Sequence, residues 1–74
     1  FDNFVQVNSG VQIGGAVSIG EGVLLGSGSI IRQGLRVKKS STVGFGSVVL
    51  SSVREGITVI GNPAKRLKLP SFDE

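Results

Sequence analysis

The sequence predicts an all-β solenoid in which short strands stack as successive coils around one shared core. The main observation is a branched aliphatic residue at every sixth position from residue 7 to residue 49, without exception. A period of six fits neither the 3.6-residue period of an amphipathic helix nor the two-residue alternation of a lone strand. In addition, residues 1–61 contain no proline, and strands in a hydrogen-bonded ladder need their N–H groups. The aliphatic positions are Val7, Ile13, Ile19, Leu25, Ile31, Val37, Val43 and Val49.

Two positions of each six-residue repeat are predicted to face the core. We number the repeat from the aliphatic residue, which is position one. Position five holds small or apolar residues and is the second inward-facing position. Position two is glycine in four of eight repeats, which suits tight or left-handed backbone at a corner. Each repeat is therefore a short strand followed by a turn, and only stacked repeats can bury these residues. The residues at position five are Val11, Val17, Val23, Ser29, Leu35, Ser41, Ser47 and Val53.

The repeat breaks near its end. Position one should recur at residue 55, where the chain has Glu55. We interpret residues 54–56 as a loop and residues 57–60 as a last strand in a new register. The segment from residue 62 is predicted to be a short helix or an extended arm, whose Leu67 and Leu69 suggest docking against an apolar surface. The predicted division is a β-helix over residues 1–61 and a tail over residues 62–74.

Composition limits the possible functions. The chain has no cysteine, which rules out disulfides and thiolate metal sites within it. No apolar run is long enough for a membrane span. It also has no histidine, the usual general base near neutral pH. Because the repeat is already in progress at Phe1, we expect the 74 residues to be a fragment of a longer protein.

The positive charges are confined to the later part of the chain. All eight basic residues follow residue 31, and the net charge is +3. A one-sided basic surface favours an anionic ligand or partner. The alternative is that these residues are solvated and protect exposed sheet edges from aggregation. The basic residues are Arg32, Arg36, Lys38, Lys39, Arg54, Lys65, Arg66 and Lys68.

Two motifs resemble those of a known family. The repeat aliphatic-Gly-x-x-small-x and the ending V-I-G-N-P-A-K at residues 59–65 resemble the hexapeptide-repeat acyltransferases. Residues 3–10 and 14–20 are similar to the branch that includes sialic acid O-acetyltransferases and bacillosamine-type sugar N-acetyltransferases. This resemblance covers about residues 3–66. It implies a left-handed parallel β-helix of about three to four coils, with three repeats in each triangular coil.

The resemblance also implies a homotrimer with acetyl-CoA in a groove between adjacent prisms. Residues along such a groove should recur once per coil, or every third repeat, as Ser9, Ser27, Phe45 and Pro63 do, and as Gly15, Gln33 and Ser51 do. The implied cofactor contacts are Gly15, whose N–H would meet the thioester carbonyl, Ser27 and Phe45 along the pantetheine arm, Pro63 in the same column, and Lys65 and Arg66 at the CoA phosphates.

Each of these site residues has a plainer interpretation. Gly15 could be an ordinary turn glycine. Phe45 could cover a glycine-rich corner or pack in the trimer. Lys65 and Arg66 could be solvated tail residues.

The family's catalytic histidine falls before the position matching Phe1, so no catalytic residue is expected within this chain. The base is expected upstream of Phe1, and the fragment alone is expected to be inactive. A second histidine of this branch matches Gln6, which can form hydrogen bonds but cannot take a proton.

The resulting hypothesis is a cytoplasmic acetyltransferase that uses acetyl-CoA to modify a hydroxyl or amine of a sugar or nucleotide-sugar. The alternative is a non-catalytic β-helix, either a trimerisation module or the C-terminal domain of a sugar nucleotidyltransferase. A metal site is not expected, because a γ-class carbonic anhydrase needs histidine ligands. Nucleic acid is not expected either, because the four Phe residues do not interleave with the basic residues.

Overall fold

The computed structural model describes residues 5–67, and all regular structure in that range is β-strand. Most strands are two residues long and recur with the predicted six-residue spacing. The strands are β1 Gln6–Val7, β2 Gln12–Ile13, β3 Ser18–Ile19, β4 Leu24–Leu25, β5 Ile30–Ile31, β6 Arg36–Val37, β7 Thr42–Val43, β8 Val48–Val49, β9 Thr58–Gly61 and β10 Ala64–Arg66.

The strands form three sheets, and the chain visits them in turn. Sheet 1 has the order β1-β4-β7-β9-β10, sheet 2 the order β2-β5-β8, and sheet 3 contains β3 and β6. Strands one coil apart pair in parallel, and Val7 lies opposite Leu25 as Ile13 lies opposite Ile31. The predicted all-β fold, a left-handed parallel β-helix, is confirmed, with about three coils in the described part.

The core consists of the two predicted inward-facing positions. Position-one residues from Ile19 to Val49 are buried, whereas Val7, in the first described coil, is 44% exposed. Serines at position five are fully buried, and their hydroxyls are hydrogen-bonded. The Oγ of Ser29 donates to the carbonyl of Gly26 at 2.8 Å, and the N–H of Gly61 donates to the Oγ of Ser47 at 3.2 Å. These bonds offset the cost of burying a hydroxyl.

Glycine recurs at position two for lack of space, not because the backbone is left-handed there. A Cβ on Gly14, Gly20 or Gly26 would lie 2.5–2.6 Å from a backbone nitrogen of the next coil. The left-handed backbone predicted at this position is instead found at position four. Residues with positive φ there are Gly10, Ala16, Gly22, Gly28, Gly34, Ser40 and Gly46.

Replacing Ala16 with glycine should stabilise the fold. Ala16 has a φ of 60°, a conformation that costs an L-residue about 1–2 kcal/mol. Part of the gain is offset by the greater freedom of glycine in the unfolded chain, so we expect a net gain of about 0.5–1 kcal/mol. Urea denaturation should show a higher midpoint at unchanged slope. The control Ala64→Gly, in β10, should lower the midpoint. A lower midpoint for Ala16→Gly would contradict the prediction.

The last coil is shorter than the others, which corrects the predicted break. In the lower coils Val43 pairs with Leu25, three full repeats away. In the last coil Val53 pairs with Val37, and Val59 pairs with Val43. The sequence separation of these pairs is two residues shorter than that of the pairs in the lower coils. Val53 therefore takes position one, not the predicted position five, and the change of register falls between Val49 and Val53. Residues 54–56 form an ordinary turn, and the N–H of Gly56 donates to the carbonyl of Lys39 at 3.1 Å.

The start of the tail folds back as an arm. β10 pairs antiparallel with β9, with Lys65 opposite Ile60 and Arg66 opposite Val59. The N–H of Leu67 then donates to the carbonyl of Thr58 at 2.8 Å. Of the two predicted forms, the extended arm is the one observed up to Leu67, whose side chain is 42% exposed. The predicted docking of Leu69 lies outside the described residues. The division of the chain at residue 61 remains a prediction.

Within residues 5–67, no helix is long and apolar enough to span a membrane.

Candidate functional site

Three corners run along the solenoid, and the predicted site residues Gly15, Ser27 and Phe45 lie on two of them. Corner 1 joins sheets 1 and 2 and carries residues 9–10, 27–28 and 45–46. Corner 2 joins sheets 2 and 3 and carries residues 15–16 and 33–34. Corner 3 joins sheets 3 and 1 and carries residues 21–22, 39–40 and 55–56. Backbone hydrogen bonds stack each corner on the one below, such as Gly34 N–H to Gly15 carbonyl at 2.9 Å.

The first predicted column is present on corner 1 for three of its four members. Hydrogen bonds from Gly28 to Ser9 and from Gly46 to Ser27 set these turns directly above one another. Phe45 continues the column and is 76% exposed. An exposed aromatic ring of this size on a corner is a ready contact surface.

Pro63 does not continue the column as predicted. Because the last coil is shortened, Gly61 is the residue of that coil that lies at the position equivalent to Phe45. Pro63 lies in the turn between β9 and β10. Ile60 was not predicted as part of this corner. It is partly exposed and covers Gly44, the residue before Phe45. Its Cγ1 would lie 2.9 Å from a Cβ on Gly44, so a larger residue there would require the Ile60 side chain to shift.

Gly15 has the open surroundings expected of a residue that receives a ligand. It is exposed, and a Cβ added to it would meet no atom within 4 Å. Its carbonyl accepts from Gly34, whereas its own N–H makes no backbone hydrogen bond within residues 5–67. The N–H is therefore available as a donor, and no side chain blocks its approach.

A shallow cavity of about 490 Å³ lies on sheet 2 and is lined by Gly14, the residue before Gly15. Its polar lining comes from Gln12, Arg32 and Gln33, and Ile30 supplies an apolar wall. Gly14 contributes no side chain to the lining. These lining residues were not predicted apart from Gln33, because they become adjacent only when successive coils are stacked.

Lys65 and Arg66 lie beside a second hollow, of about 360 Å³, at the last coil. Its rim also includes Arg54, Ser51 and Ser52, so the structure adds a third cation to the predicted pair. Three cations and two hydroxyls on one rim form a suitable environment for phosphate oxygens. The floor is apolar and is formed by Val49, Val53, Ile57, Val59 and Ala64.

Gln6 lies apart from Gly15 within its own chain. It is exposed on β1, in sheet 1, where it lies opposite Leu24. Gly15 belongs to the same coil but lies on corner 2, beyond the whole width of sheet 2. A single chain therefore does not bring Gln6 and Gly15 together on one face.

Comparisons with known proteins identify relatives among solved structures. No family model matches the chain, and no curated protein does. The acetyltransferase domain of PglB from Neisseria gonorrhoeae is 38% identical, with a TM-score of 0.84 over 85% of this chain and 31% of that one. Soybean serine acetyltransferase is 35% identical, with a TM-score of 0.81 over 85% of this chain and 29% of that one. The structural relatives of this chain are hexapeptide-repeat acetyltransferases.

A third relative shares the same repeat. GDP-perosamine N-acetyltransferase from Caulobacter crescentus is 33% identical, with a TM-score of 0.77 over 78% of this chain and 28% of that one. That enzyme was solved with CoA and GDP-perosamine, and the PglB domain was also solved with acetyl-CoA. The chain spans less than a third of the length of each of these structures. The predicted resemblance to hexapeptide-repeat acetyltransferases is thereby confirmed.

Proposed function

We propose that this chain is the acetyl-CoA-binding β-helix of a cytoplasmic acetyltransferase that modifies a hydroxyl or amine of a sugar or nucleotide-sugar. The observation that carries the proposal is the open N–H of Gly15, one residue after a glycine that lines a cavity, within a repeat 38% identical to an acetyltransferase domain. Two relatives support a sugar acceptor, since one is named for GDP-perosamine and another is a maltose O-acetyltransferase.

The proposed role of Gly15 is to stabilise the oxyanion formed during acyl transfer. When the acceptor attacks the thioester carbonyl, negative charge develops on the carbonyl oxygen. A fixed backbone donor aimed at that oxygen stabilises this charge more than it stabilises the ground state. Gly15 suits this role because its N–H has no backbone partner within the described residues and it has no side chain to exclude the thioester.

The cofactor is proposed to run along the stack from Gly15 towards the last coil. Ser27 and Phe45 contact the pantetheine arm, Pro63 lies at its far end, and Lys65 and Arg66 neutralise the phosphates. Ser27 and Phe45 lie on corner 1 and Gly15 on corner 2, so two copies of the chain would form the walls of one groove. This arrangement favours the homotrimer, as do Ile30 and Leu50, which are 41% and 46% exposed on the outer face of sheet 2.

The general base is proposed to be a histidine upstream of Phe1, since the 74 residues contain none. It would take the proton from the acceptor hydroxyl or amine as that group attacks the thioester. The carbonyl then re-forms, the acetyl group remains on the acceptor, and CoA leaves as a thiolate that is protonated. Gln6 would supply a hydrogen bond to the acceptor. A longer protein with no histidine shortly before Phe1 would contradict this part of the proposal.

An acetyl-CoA titration tests the proposal directly. By calorimetry at low salt, the chain should bind acetyl-CoA with a dissociation constant between about 1 μM and 1 mM, the usual range for enzyme substrates. Lys65→Gln/Arg66→Gln should weaken acetyl-CoA binding about tenfold, because two charge-assisted contacts to phosphate are lost. Binding of S-acetyl-pantetheine, which lacks the nucleotide phosphates, should not change.

The matched control removes two cations from another surface. Arg36 lies in β6 of sheet 3, and Lys38 follows β6 on the same face. The variant Arg36→Gln/Lys38→Gln should bind acetyl-CoA with an affinity within about twofold of the unmodified chain at moderate salt. No detectable acetyl-CoA binding by the unmodified chain would favour the non-catalytic β-helix instead. Equal losses in both double variants would show that only net charge matters.

A further inference from the structure

The outer face of sheet 3 carries three cations that the acetyltransferase site does not use as a group. Arg36 and Lys38 flank the buried Val37, so both side chains point outward. The N–H of Val53 donates to the carbonyl of Arg36 at 2.9 Å, and the N–H of Lys38 donates to the carbonyl of Val53 at 3.0 Å. These bonds set Arg54 beside Lys38 in the next coil. We define Arg36, Lys38 and Arg54 as the basic face.

No acidic residue of the described chain neutralises the basic face. Within residues 5–67 the only acids are Glu21 and Glu55, and both lie on corner 3. The single ion pair in that range joins Lys39 Nζ to Glu55 Oε2 at 3.8 Å. Within the described residues, the positive charge of the basic face is therefore not balanced by a neighbouring carboxylate.

Crowding these cations costs the fold some stability. Strands in adjacent coils lie about 4.8 Å apart, and like charges directly opposite each other across strands are destabilising. The shortened coil is what sets Arg54 against Lys38, since a coil of full length would have placed it against Arg36. An anionic partner bound to this face would remove the repulsion.

The shape of the basic face suits an extended partner better than a small ligand. Arg36 and Lys38 line neither the cavity on sheet 2 nor the hollow at the last coil, and only Arg54 of the basic face borders that hollow. Their neighbours on the face are the small residues Ser18, Gly20 and Ser52, so no walls enclose an ion. Arg36 and Lys38 are two residues apart on a strand, about 6.6 Å, which is also the spacing of alternate side chains in an extended peptide.

Other occupants fit the basic face less well. A second copy presenting the same face would bring six cations together. Among residues 5–67 the face has no aromatic side chain on which a base could stack, since Phe45 lies on corner 1. In the described part of the chain, the face also has no apolar residue that could enter a lipid layer.

We propose that the basic face binds an extended acidic segment of a partner polypeptide, with carboxylates at every second residue. Two carboxylates would pair with Arg36 and Lys38 along the strand. Arg54 would contact the same segment from the next coil. Arg54 also borders the hollow assigned to the CoA phosphates, whereas Arg36 and Lys38 do not, so binding of the segment does not require acetyl-CoA.

The test uses a short fluorescein-labelled peptide of alternating Glu and Ser, with a Gln-Ser peptide as the neutral control. By fluorescence anisotropy at low salt, the chain should bind the acidic peptide and not the neutral one. Arg36→Gln/Lys38→Gln/Arg54→Gln should weaken binding at least about tenfold. The matched variant Arg32→Gln/Lys65→Gln/Arg66→Gln loses the same charge elsewhere and should weaken binding less than about threefold. Thermal melts establish that both variants are folded.

Several outcomes would overturn the proposal. Equal weakening by the two triple variants would reduce the effect to net charge. Displacement of the peptide by phosphatidylserine vesicles or duplex DNA at a lower concentration of negative charge would assign the face to lipid or nucleic acid. Displacement by saturating acetyl-CoA would make the basic face part of the cofactor site. Failure of the unmodified chain to bind acetyl-CoA would leave this proposal standing and defeat only the proposed acetyltransferase function.

Discussion

Gly14→Ala should destabilise the β-helix by about 3 kcal/mol, the upper end of the usual cost of overpacking, although it adds a single methyl group. The new Cβ would lie 2.6 Å from the backbone nitrogen and 2.8 Å from the Cα of Gln33. Overpacking usually costs about 1–3 kcal/mol, because side chains can move aside. Here the obstacle is backbone, so relief requires two coils to separate and their ladder hydrogen bonds to lengthen. Urea denaturation followed by circular dichroism measures the loss.

The adjacent glycine provides the control for this prediction. A Cβ on Gly15 would meet nothing within 4 Å, and its backbone is not left-handed. Gly15→Ala should therefore change the free energy of unfolding by less than about 0.5 kcal/mol. Similar stabilities for Gly14→Ala and Gly15→Ala would show that the coils can separate freely, which would contradict the close packing described above.

Leu25→Ala should cost about 2–5 kcal/mol, the range observed when a buried leucine is truncated. Leu25 is fully buried and pairs with Val7 on one side and Val43 on the other. Its removal leaves a void in the middle of the stack that the flanking coils cannot fill without breaking their register. Small domains have a total stability of only about 5–15 kcal/mol, so the variant should lose a large share of its stability.

Leu50→Ala is the matched control, because Leu50 is the same residue type but 46% exposed. We expect a change in unfolding free energy below about 1 kcal/mol, as for most surface substitutions. The comparison is made by chemical denaturation under identical conditions. A Leu25→Ala loss no larger than that of Leu50→Ala would show that the central coil is not tightly packed.

The six-residue period predicted most of the fold for a clear reason. A two-residue strand cannot bury its aliphatic side chain alone, so a regular row of such residues requires stacked coils. The phase of the last coil escaped prediction because Val49, Leu50 and Val53 are all aliphatic. The repeat can restart at Val53 or continue past it, and both choices keep an apolar residue at an inward position. Pairing with Val37 selects the restart.

The candidate site was predictable to the extent that it depends on coils of three full repeats. Ser27 and Phe45 stack as predicted because the two lower coils have the full length. Pro63 is displaced because it follows the shortened coil. Arg32 and Arg54 belong to no recognisable sequence motif. They line the two cavities only because residues of different coils become adjacent when the coils stack.

The sequence by itself determined the parallel β-helix, its two inward positions and the corners that carry Gly15 and Phe45. These features follow from a repeat in one dimension, since each is a property of position within the repeat. The tertiary structure decided which glycines are needed for space, where the last coil is shortened, and that Arg54 joins Lys38 on the basic face. Each of these depends on distances between atoms in different coils, which are fixed only when the coils pack together.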